Sequence, residues 1–377
     1  MKMSGIKIQN ISRFLRPYTP PSWAQVISPI PQYKVELANK NTPIHQWNLP
    51  GLPSEFKVGI KRDDMTGSTL TGNKVRKLEF LMADALQNNC KHVITCGGIQ
   101  SNHCRAVAVC SRQLGLVPHL ILRGDQKSVE GLGCEGNLLL DRLCGANIYL
   151  VPRKSSYLTH LLPRMENLVQ TIKQSAGEKS YIIPVGGSNR VGIFGYLSVF
   201  DEMMSQGVLE DYDDIVFACG SGGTAAGLCL GNYLTGSKLR IHAIAVSDDA
   251  SYFHDHVTST LREVGIQEVT SEDILNVVEG HKGQGYGIST QEELDFILEV
   301  SQSTGIMLDP VYTGKAVKGM VYEIQNNPSR YKGNRILFLH TGGVYGLFDG
   351  RINSLLSQHG TKHNQVHMWE EIDKPPV

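Results

Sequence analysis

The sequence contains no uninterrupted apolar run that approaches the ~18 residues of a membrane-spanning helix. It also lacks an excess of either charge, because lysine plus arginine and aspartate plus glutamate number 36 each. A chain without net charge gives no reason to expect a nucleic acid or an anionic membrane surface as a partner. With 41% hydrophobic and 19% charged residues, the composition is that of an ordinary soluble globular protein.

Metal and disulfide signals are missing as well. Eight cysteines are present, but no two form a CxxC pair and no cysteine–histidine spacing fits a zinc site. Cys96, Cys219 and Cys229 lie within apolar runs, which is the usual setting of buried free thiols. We therefore expect free thiols, no metal and a reducing compartment, and we predict a cytoplasmic protein.

The two ends of the chain carry weaker signals. Residues 1–35 contain no acidic residue, a feature shared with transit peptides, but three prolines between Pro17 and Pro21 leave no long amphipathic helix there. Targeting to an organelle stays open at this point. Residues 351–377 are polar and are expected to form a surface tail, in which the spacing of His359, His363 and His367 does not favour a metal site.

The 377 residues exceed what one hydrophobic core usually serves, so two domains are expected. Alternating apolar and amphipathic segments predict repeated strand–helix units, which indicate a parallel sheet covered by helices on both faces. The predicted strands are 56–62, 92–96, 119–122, 147–151, 181–184, 214–218, 239–246 and 335–340. The predicted helices are 78–88, 103–114, 137–143, 158–175, 191–206, 225–235, 290–303 and 314–326, with a further short helix near 22–27.

The stretch from Thr66 to Leu78 predicts a loop that leads into a helix, because two glycines, four hydroxyl residues and an asparagine precede an amphipathic pattern. Lys74 lies near the predicted helix start, where the positive end of the helix dipole disfavours a cation. A lysine in this position either binds an anion or works as an amine with a lowered pKa. The alternative is a solvated surface lysine.

Two other loops follow predicted strands and open helices, where parallel sheets bind ligands. The loop at 97–103 places Ser101, Asn102 and His103 at a helix N-terminus, which predicts either a ligand site or a simple N-cap. The turn from Gly220 to Thr224 offers free N–H groups and a helix dipole to a phosphate monoester. It lacks the ending of a P-loop and comes too late in the chain for a dinucleotide fingerprint.

Glycine-rich segments near the C-terminus add Tyr286 and Tyr312, and a further loop spans His340–Gly343. A lysine, a phosphate-binding turn, tyrosines and hydroxyl groups are the residues that a pyridoxal phosphate enzyme requires. The sequence therefore favours this cofactor over a nicotinamide.

The chain resembles the fold-type II, tryptophan-synthase-β-like pyridoxal phosphate enzymes, and within them the D-cysteine desulfhydrase and 1-aminocyclopropane-1-carboxylate deaminase family. The motifs that carry the resemblance occur in the family's order. They are Lys61–Asp64, Gly72–Glu79, Gly98–His103, Pro184–Asn189, Asp309–Lys315 and His340–Gly343.

The resemblance implies an α/β fold with two open, mostly parallel twisted sheets flanked by helices. A small domain of residues 77–180 would be inserted in a large cofactor-binding domain of residues 1–76 and 181–350, with 351–377 as a C-terminal tail. Members of the family are typically homodimers.

The resemblance also implies roles for individual residues. Lys74 matches the lysine that forms the Schiff base. The expected cofactor contacts are Lys74, Lys77, Asn102, Gly220, Ser221, Gly222, Gly223, Thr224, Thr313 and Thr341. The expected substrate contacts are Asn73, Ser101, Asn102, His103, Tyr286 and Tyr312, of which Ser101, Tyr286 and Tyr312 are, with Lys74, the candidate catalytic residues.

Thr313 separates the activities of this family. The cyclopropane deaminases carry a glutamate there that faces the pyridine nitrogen and keeps it protonated, whereas the desulfhydrase type carries threonine. The resemblance thus predicts elimination of D-cysteine to pyruvate, hydrogen sulfide and ammonia. The alternatives are 1-aminocyclopropane-1-carboxylate deamination or elimination from D-serine or β-chloro-D-alanine, a non-catalytic amino-acid-binding protein, and, least favoured, a nicotinamide oxidoreductase.

Overall fold

The computed structural model describes residues 13–125 and 130–357, and all structural statements below refer to these residues. Its strands are β1 (Arg16–Pro17), β2 (Tyr33–Lys34), β3 (Ile44–Gln46), β4 (Lys57–Lys61), β5 (His92–Gly98), β6 (Val117–Gly124), β7 (Asn147–Pro152), β8 (Ser180–Ile182), β9 (Asp214–Cys219), β10 (Arg240–Ala245), β11 (Asn276–Val278) and β12 (Arg335–Leu339).

The helices are α1 (Lys74–Gln87), α2 (Asn102–Gln113), α3 (Gly136–Leu143), α4 (Leu162–Ala176), α5 (Ile193–Ser205), α6 (Val208–Asp211), α7 (Gly223–Leu234), α8 (Ala250–Glu263), α9 (Ser271–Ile274), α10 (Gln291–Thr304), α11 (Thr313–Asn326) and α12 (Arg351–Leu356). Within the described ranges no helix is both long and apolar enough to cross a membrane.

Two open sheets form the framework. One has the strand order β11-β10-β9-β12-β4-β3, and the other has the order β7-β6-β5-β8. Every pairing in them is parallel except β3 with β4, which is antiparallel. A separate antiparallel pair joins β1 to β2. The predicted α/β class with two mostly parallel sheets is confirmed.

Helices cover both faces of the six-stranded sheet. Alternate residues of β9 divide between two buried apolar clusters, with Ile215 and Phe217 in one and Val216 and Ala218 in the other. In sequence, a strand buried on both faces is a continuous apolar run rather than an alternating pattern. Residues 215–219 form such a continuous run. The division of the chain into domains stays a prediction, although all strands of the four-stranded sheet lie between residues 92 and 182.

All predicted strands and helices of the repeated units are present, with shifted ends. The helix predicted at 158–175 begins later, at Leu162, after one π-helical turn. Pro163 lies in the first turn of α4, where its missing N–H needs no partner, so the proline marks the true start. The short helix predicted near 22–27 is a single 3₁₀ turn of three residues, Ser22–Ala24.

The surface-tail prediction for 351–377 is wrong at its beginning. Residues 351–356 form α12, whose Ile352 and Leu355 are buried in the apolar cluster on one face of the six-stranded sheet. Two apolar residues at a spacing of three give a short helix one buried side. The histidines at 359, 363 and 367 lie outside the described residues.

The eight cysteines all fall within the described ranges and are all free thiols. Six of them are buried, Cys144 is partly exposed and Cys134 is exposed. The prediction of buried free thiols at 96, 219 and 229 is confirmed.

Candidate active site

Loops at the carboxyl ends of strands from both sheets meet around one cavity. This is the edge at which open parallel sheets bind ligands. The lining residues are Asn73, Lys74, Asn102, Ala218, Cys219, Gly220, Ser221, Gly222, Thr224, Tyr312, Thr341 and Gly342. Sequence reasoning pointed to nine of these twelve; Ala218, Cys219 and Gly342 were not expected at the site.

Lys74 is the first residue of α1, and two backbone features fix its position. The Asn73 N–H donates to the Thr341 carbonyl oxygen at 3.1 Å, which ties the start of α1 to the loop after β12. Gly72 has a φ of +100°, and a Cβ on it would lie 2.7 Å from the same carbonyl oxygen. Only glycine permits both this backbone conformation and this close approach. The loop between Thr66 and Lys74 therefore places the lysine beside Thr341.

Burial lowers the pKa of Lys74 from 10.5 to about 8, and the charge of Cys219 in its thiolate form acts in the opposite direction. A shift of this size corresponds to roughly 3 kcal/mol. A helix N-terminus typically contributes only about 0.3–1 kcal/mol. Burial, more than the dipole that the sequence suggested, therefore makes Lys74 an amine that is easily neutralised.

Arg76 anchors α1 two residues further on. Its guanidinium donates to Asp63 Oδ1 at 3.0 Å and to Glu202 Oε2 at 2.9 Å. Lys61 donates to the other oxygen of Glu202 at 2.5 Å. These buried charges link the end of β4, α1 and α5, so the Lys61–Asp64 motif supports the site from behind rather than lining it.

Lys77 lies one turn after Lys74 and is 1% exposed. Its Nζ donates to the Gly186 carbonyl oxygen at 3.3 Å. Burial, followed by the nearby Lys74 charge, lowers the pKa of Lys77 well below its usual value. Two buried amines that repel each other would both gain from a bound anion.

The turn at 220–222 joins β9 to α7 and presents the N-terminus of that helix to the cavity. Gly222 adopts a φ of +82° at the N-cap. Ser188 holds the turn from outside, because its Oγ lies 2.8 Å from Ser221 Oγ and accepts a hydrogen bond from Gly223 N–H at 3.1 Å. Thr224 Oγ1 accepts from Asn73 Nδ2 at 3.1 Å. The turn, at the N-terminus of α7 and with the helix dipole behind it, fits a phosphate monoester.

Ser101 is the N-cap of α2, and its Oγ accepts a hydrogen bond from Cys104 N–H at 3.2 Å. The capping interpretation is confirmed for this residue, and a role beside the substrate stays a prediction. Asn102 follows it and lines the cavity. Its Oδ1 is buried and has no hydrogen-bond partner among the described residues. Such an orphaned acceptor is normally explained by a missing ligand or water.

His103 does not line the cavity. The Thr95 hydroxyl donates to the Ile183 carbonyl oxygen at 2.8 Å, so it accepts from His103 Nε2 at 2.9 Å. Burial, with the charges of Lys74 and Lys77, lowers the pKa of His103 well below its usual value. In this geometry His103 is a neutral histidine that fastens α2 to β5, rather than a residue positioned to touch a substrate.

The two candidate tyrosines meet at their hydroxyl groups, with Tyr286 Oη 2.5 Å from Tyr312 Oη. Burial raises the pKa of both, and that of Tyr312 rises further through the nearby Tyr286. Both therefore remain protonated at neutral pH, and one hydroxyl donates to the other. Tyr312 lines the cavity, while Tyr286 lines a wider cleft that opens beside it.

Lys315 was not expected to have a structural role. Its Nζ donates to three backbone carbonyl oxygens in the segment that carries Tyr286: Lys282 at 2.7 Å, Gly285 at 3.0 Å and Ile288 at 2.7 Å. This ammonium group thus fixes the conformation of the glycine-rich loop that carries Tyr286. A lysine one turn into α11 gives no sequence signal for this role, because its partners are carbonyl groups of a distant loop.

Thr313 is fully buried and is not among the residues that line the cavity. Its Oγ1 donates to Asp309 Oδ1 at 2.8 Å and accepts from Asp309 N–H at 2.8 Å. Asp309 also accepts from the N–H groups of Val311 and Tyr312. The expected contact of Thr313 with a pyridine nitrogen is therefore a prediction that this hydrogen-bonding arrangement does not support.

The residues around the cavity fit pyridoxal phosphate. A turn with free N–H groups and a helix N-terminus suits its phosphate, and Lys74 suits its aldehyde. The orphaned Asn102 Oδ1 can accept from a protonated ring oxygen or a water on it. Thr341 completes the wall opposite the turn.

Similarity to known proteins agrees with this fit. Residues 35–342 match the family described as "Pyridoxal-phosphate dependent enzyme". A bifunctional D-cysteine desulfhydrase/1-aminocyclopropane-1-carboxylate deaminase, mitochondrial, from Arabidopsis thaliana is 47% identical over 378 residues, covering 98% of this chain and 92% of the relative. A D-cysteine desulfhydrase from Klebsiella pneumoniae is 34% identical, covering 84% of this chain and 95% of the relative.

Among solved structures, an ACC deaminase homologue superposes with a TM-score of 0.76 and 34% sequence identity, covering 90% of this chain and 100% of that one. The family match spans most of the chain and includes every residue that lines the cavity. The chain therefore belongs to the family of pyridoxal-phosphate-dependent enzymes.

Proposed function

We propose that the chain catalyses the α,β-elimination of D-cysteine to pyruvate, hydrogen sulfide and ammonia. The observation that carries the proposal is the meeting of Lys74, the 220–224 turn and Tyr312 at one cavity, with Tyr286 hydrogen-bonded to Tyr312. The chain is also similar to two proteins named as D-cysteine desulfhydrases. The D configuration rests on those names alone. The residue roles given below belong to the same proposal.

Bound pyridoxal phosphate supplies an electron sink that stabilises negative charge at the substrate α-carbon. Lys74 Nζ takes the α-proton, because its pKa of about 8 leaves a usable neutral fraction near neutral pH. Ser101 and Tyr312 are the rival bases. The thiolate then leaves the β-carbon, and water cleaves the carbon–nitrogen bond, which balances as D-cysteine plus water giving pyruvate, hydrogen sulfide and ammonia.

Tyr312 and Tyr286 are placed to handle the leaving group. A protonated hydroxyl can donate a hydrogen bond to a departing thiolate, and the second hydroxyl, 2.5 Å away, can donate to the first. Lys315 supports the arrangement by fixing the loop that carries Tyr286.

The proposal is tested with purified protein, D-cysteine and L-cysteine, by measuring sulfide and pyruvate in equal amounts. We expect release from D-cysteine and little from the L-enantiomer. Lys74→Ala is the matched control and should lose at least 10²-fold in turnover, the lower end of what a positioned base contributes. Equal release by the variant, or no release from D-cysteine by the wild type, would remove the assignment.

Deamination of 1-aminocyclopropane-1-carboxylate is the second candidate, because the Arabidopsis relative is named for both activities. Thr313 argues against this deamination only if its hydroxyl contacts the cofactor. In the structure the hydroxyl instead donates a hydrogen bond to Asp309. Assay of 2-oxobutanoate from the cyclopropane substrate separates the two functions. D-Serine and β-chloro-D-alanine in the same panel separate general β-elimination from a preference for thiolate.

Oligomeric state and location are also proposals. We infer a homodimer from the resemblance, and light scattering on the purified protein would measure it. For the location, cytoplasm is our prediction, while the Arabidopsis relative is named as mitochondrial. A C-terminal fluorescent tag on the full chain, imaged with organelle markers, tests the compartment.

A further inference from the structure

His256 was not singled out by the sequence, and it lies against the turn expected to bind phosphate. It belongs to α8, an element that sequence patterns did not predict. A Cβ placed on Gly222 would lie 2.5 Å from His256 Cδ2 and 3.4 Å from its Nε2. The edge of the imidazole therefore packs directly on the backbone of the turn, at the point where Gly222 has positive φ.

The Nε2 atom of this ring lacks a partner. It is closed off from solvent and makes no hydrogen bond within the described residues, although the residue as a whole is only half-buried. His254, two positions earlier on α8, differs because its Nδ1 lies 3.0 Å from Ser271 Oγ. A buried polar atom left unpaired destabilises the folded protein. Such a cost is usually explained by a ligand or a water that supplies the partner.

The charges around His256 favour an anion as that partner. Burial, with the nearby Lys77 charge, lowers the pKa of His256 to about 4, so the ring is neutral at pH 7. The ring of Tyr252, on the same helix, stacks on the imidazole with the ring centroids 6.3 Å apart. A neutral imidazole still has one N–H to donate, and a phosphate dianion accepts strongly.

We propose that His256 Nε2 donates a hydrogen bond to a phosphate oxygen of bound pyridoxal phosphate. The inference rests on the proposed assignment of the 220–224 turn to the phosphate. With Lys77, the histidine forms the side-chain part of the phosphate site, and the ligand class is a phosphate monoester dianion. The chemistry of elimination does not pass through His256, so its effect is on cofactor retention.

Equilibrium dialysis of holoenzyme variants tests this directly. His256→Phe keeps a ring of similar shape but removes Nε2, and we expect pyridoxal phosphate to dissociate about tenfold more readily, as for one hydrogen bond to a charged group. His256→Gln keeps a donor and should lose less. His254→Phe is the control on the same helix, and its cofactor affinity should match the wild type.

Pyridoxal without phosphate separates this role from general damage. Its binding should be the same in His256→Phe and in the wild type, because it has no phosphate to lose contact with. Equal weakening of both ligands would mean a structural role and overturn the proposal. If the wild type binds pyridoxal and pyridoxal phosphate equally well, the 220–224 turn does not bind the phosphate, whatever substrate the enzyme uses.

A measurement without any variant covers the case in which His256→Phe fails to fold. Nitrogen-15 spectra of the wild-type holoenzyme report the protonation of His256. We expect its pKa to lie at least about one pH unit higher in the pyridoxal phosphate enzyme than in the pyridoxal-loaded enzyme, since a dianion favours the protonated ring. An unchanged titration would contradict contact with the phosphate.

Discussion

At the scale of single residues, Lys74 shows how position and surroundings combine. Its position at the start of α1 places the side chain at the cavity, and burial by the surrounding protein disfavours the charged amine. Only the neutral amine can attack an aldehyde, so under the proposed role of Lys74 a pKa of about 8 would set the pH at which the free enzyme captures its cofactor.

We expect the rate at which apoenzyme regains cofactor absorbance to rise with pH and to level off above about pH 8, because the neutral fraction of Lys74 grows through its pKa. A lysine with the ordinary value of 10.5 would keep accelerating to much higher pH. Stopped-flow absorbance across pH 6–10 measures the profile. Lys74→Ala should show no such phase, and a wild-type midpoint near 10 would contradict the lowered pKa.

A second expectation concerns Thr313. Replacing it by Val removes one of the four donors that satisfy the buried Asp309 carboxylate, so unfolding should become easier by roughly 1–3 kcal/mol. Thr313→Ser keeps the hydroxyl and should lose less. Chemical denaturation measures both variants. If Thr313→Val equals the wild type in stability but alters cofactor absorbance, the hydroxyl serves the cofactor instead.

At the scale of elements, the position of α1 depends on a close approach between the backbones at Gly72 and Thr341. Gly72→Ala should both strain a backbone at φ +100° and push against the Thr341 carbonyl oxygen. Gly236→Ala tests the backbone strain alone, because Gly236 has a φ of +97° but no atom lies within 4 Å of a Cβ placed on it.

We therefore expect Gly72→Ala to lose more stability than Gly236→Ala, and only Gly72→Ala to release pyridoxal phosphate more readily, because it displaces Lys74 from the cavity. Thermal unfolding and dialysis of the two holoenzymes give the comparison. Equal losses in both variants would show that close packing at Thr341 is unimportant.

The elements that sequence patterns found are those with strong apolar periodicity, such as β9 and α5, and they place the cavity correctly. The pattern failed at α8, where only Phe253, Val257, Thr260 and Leu261 are buried along fourteen residues. A helix with so narrow an apolar stripe resembles a polar loop in sequence. His256 was missed for the same reason.

Sequence patterns also did not predict contacts between distant segments. Ser188 holds the 220–222 turn through the Gly223 N–H, and Lys315 holds the Tyr286 loop through backbone carbonyl groups. Such partners depend on the fold rather than on residue type. His103 shows the opposite error. It follows Ser101 and Asn102 directly, but successive residues on a helix face different directions, and this one points at β5.

At the scale of the whole molecule, the buried charges of Lys61, Arg76, Asp63 and Glu202 tie the six-stranded sheet to the helix that carries Lys74. Glu202→Gln removes the carboxylate shared by Lys61 and Arg76, and we expect unfolding to become easier by on the order of 3 kcal/mol. Glu36→Gln, which breaks exposed pairs with Arg16 and Lys40, should cost less than about 1 kcal/mol.

The pH dependence of unfolding gives a further check. Although burial raises the pKa of Glu202, Arg76 and Lys61 together lower it below 4.5. The unfolded chain therefore binds the proton more readily, so this carboxylate contributes stability above pH 4.5 that is lost as the pH falls below it. The wild type should lose more stability than Glu202→Gln in that acid range. Parallel acid profiles would contradict the shared role of Glu202.

The distribution of thiols has a practical consequence for work with the enzyme. Burial raises the pKa of Cys219 in the cavity to about 12, so its sulfur stays protonated and reacts slowly with electrophiles at neutral pH. Cys134, by contrast, is exposed. A brief treatment with a maleimide dye should label Cys134 first, as peptide mass mapping would show, and leave Cys219 unmodified. Cys134 thus offers a point of attachment to a surface or a fluorophore without an engineered cysteine.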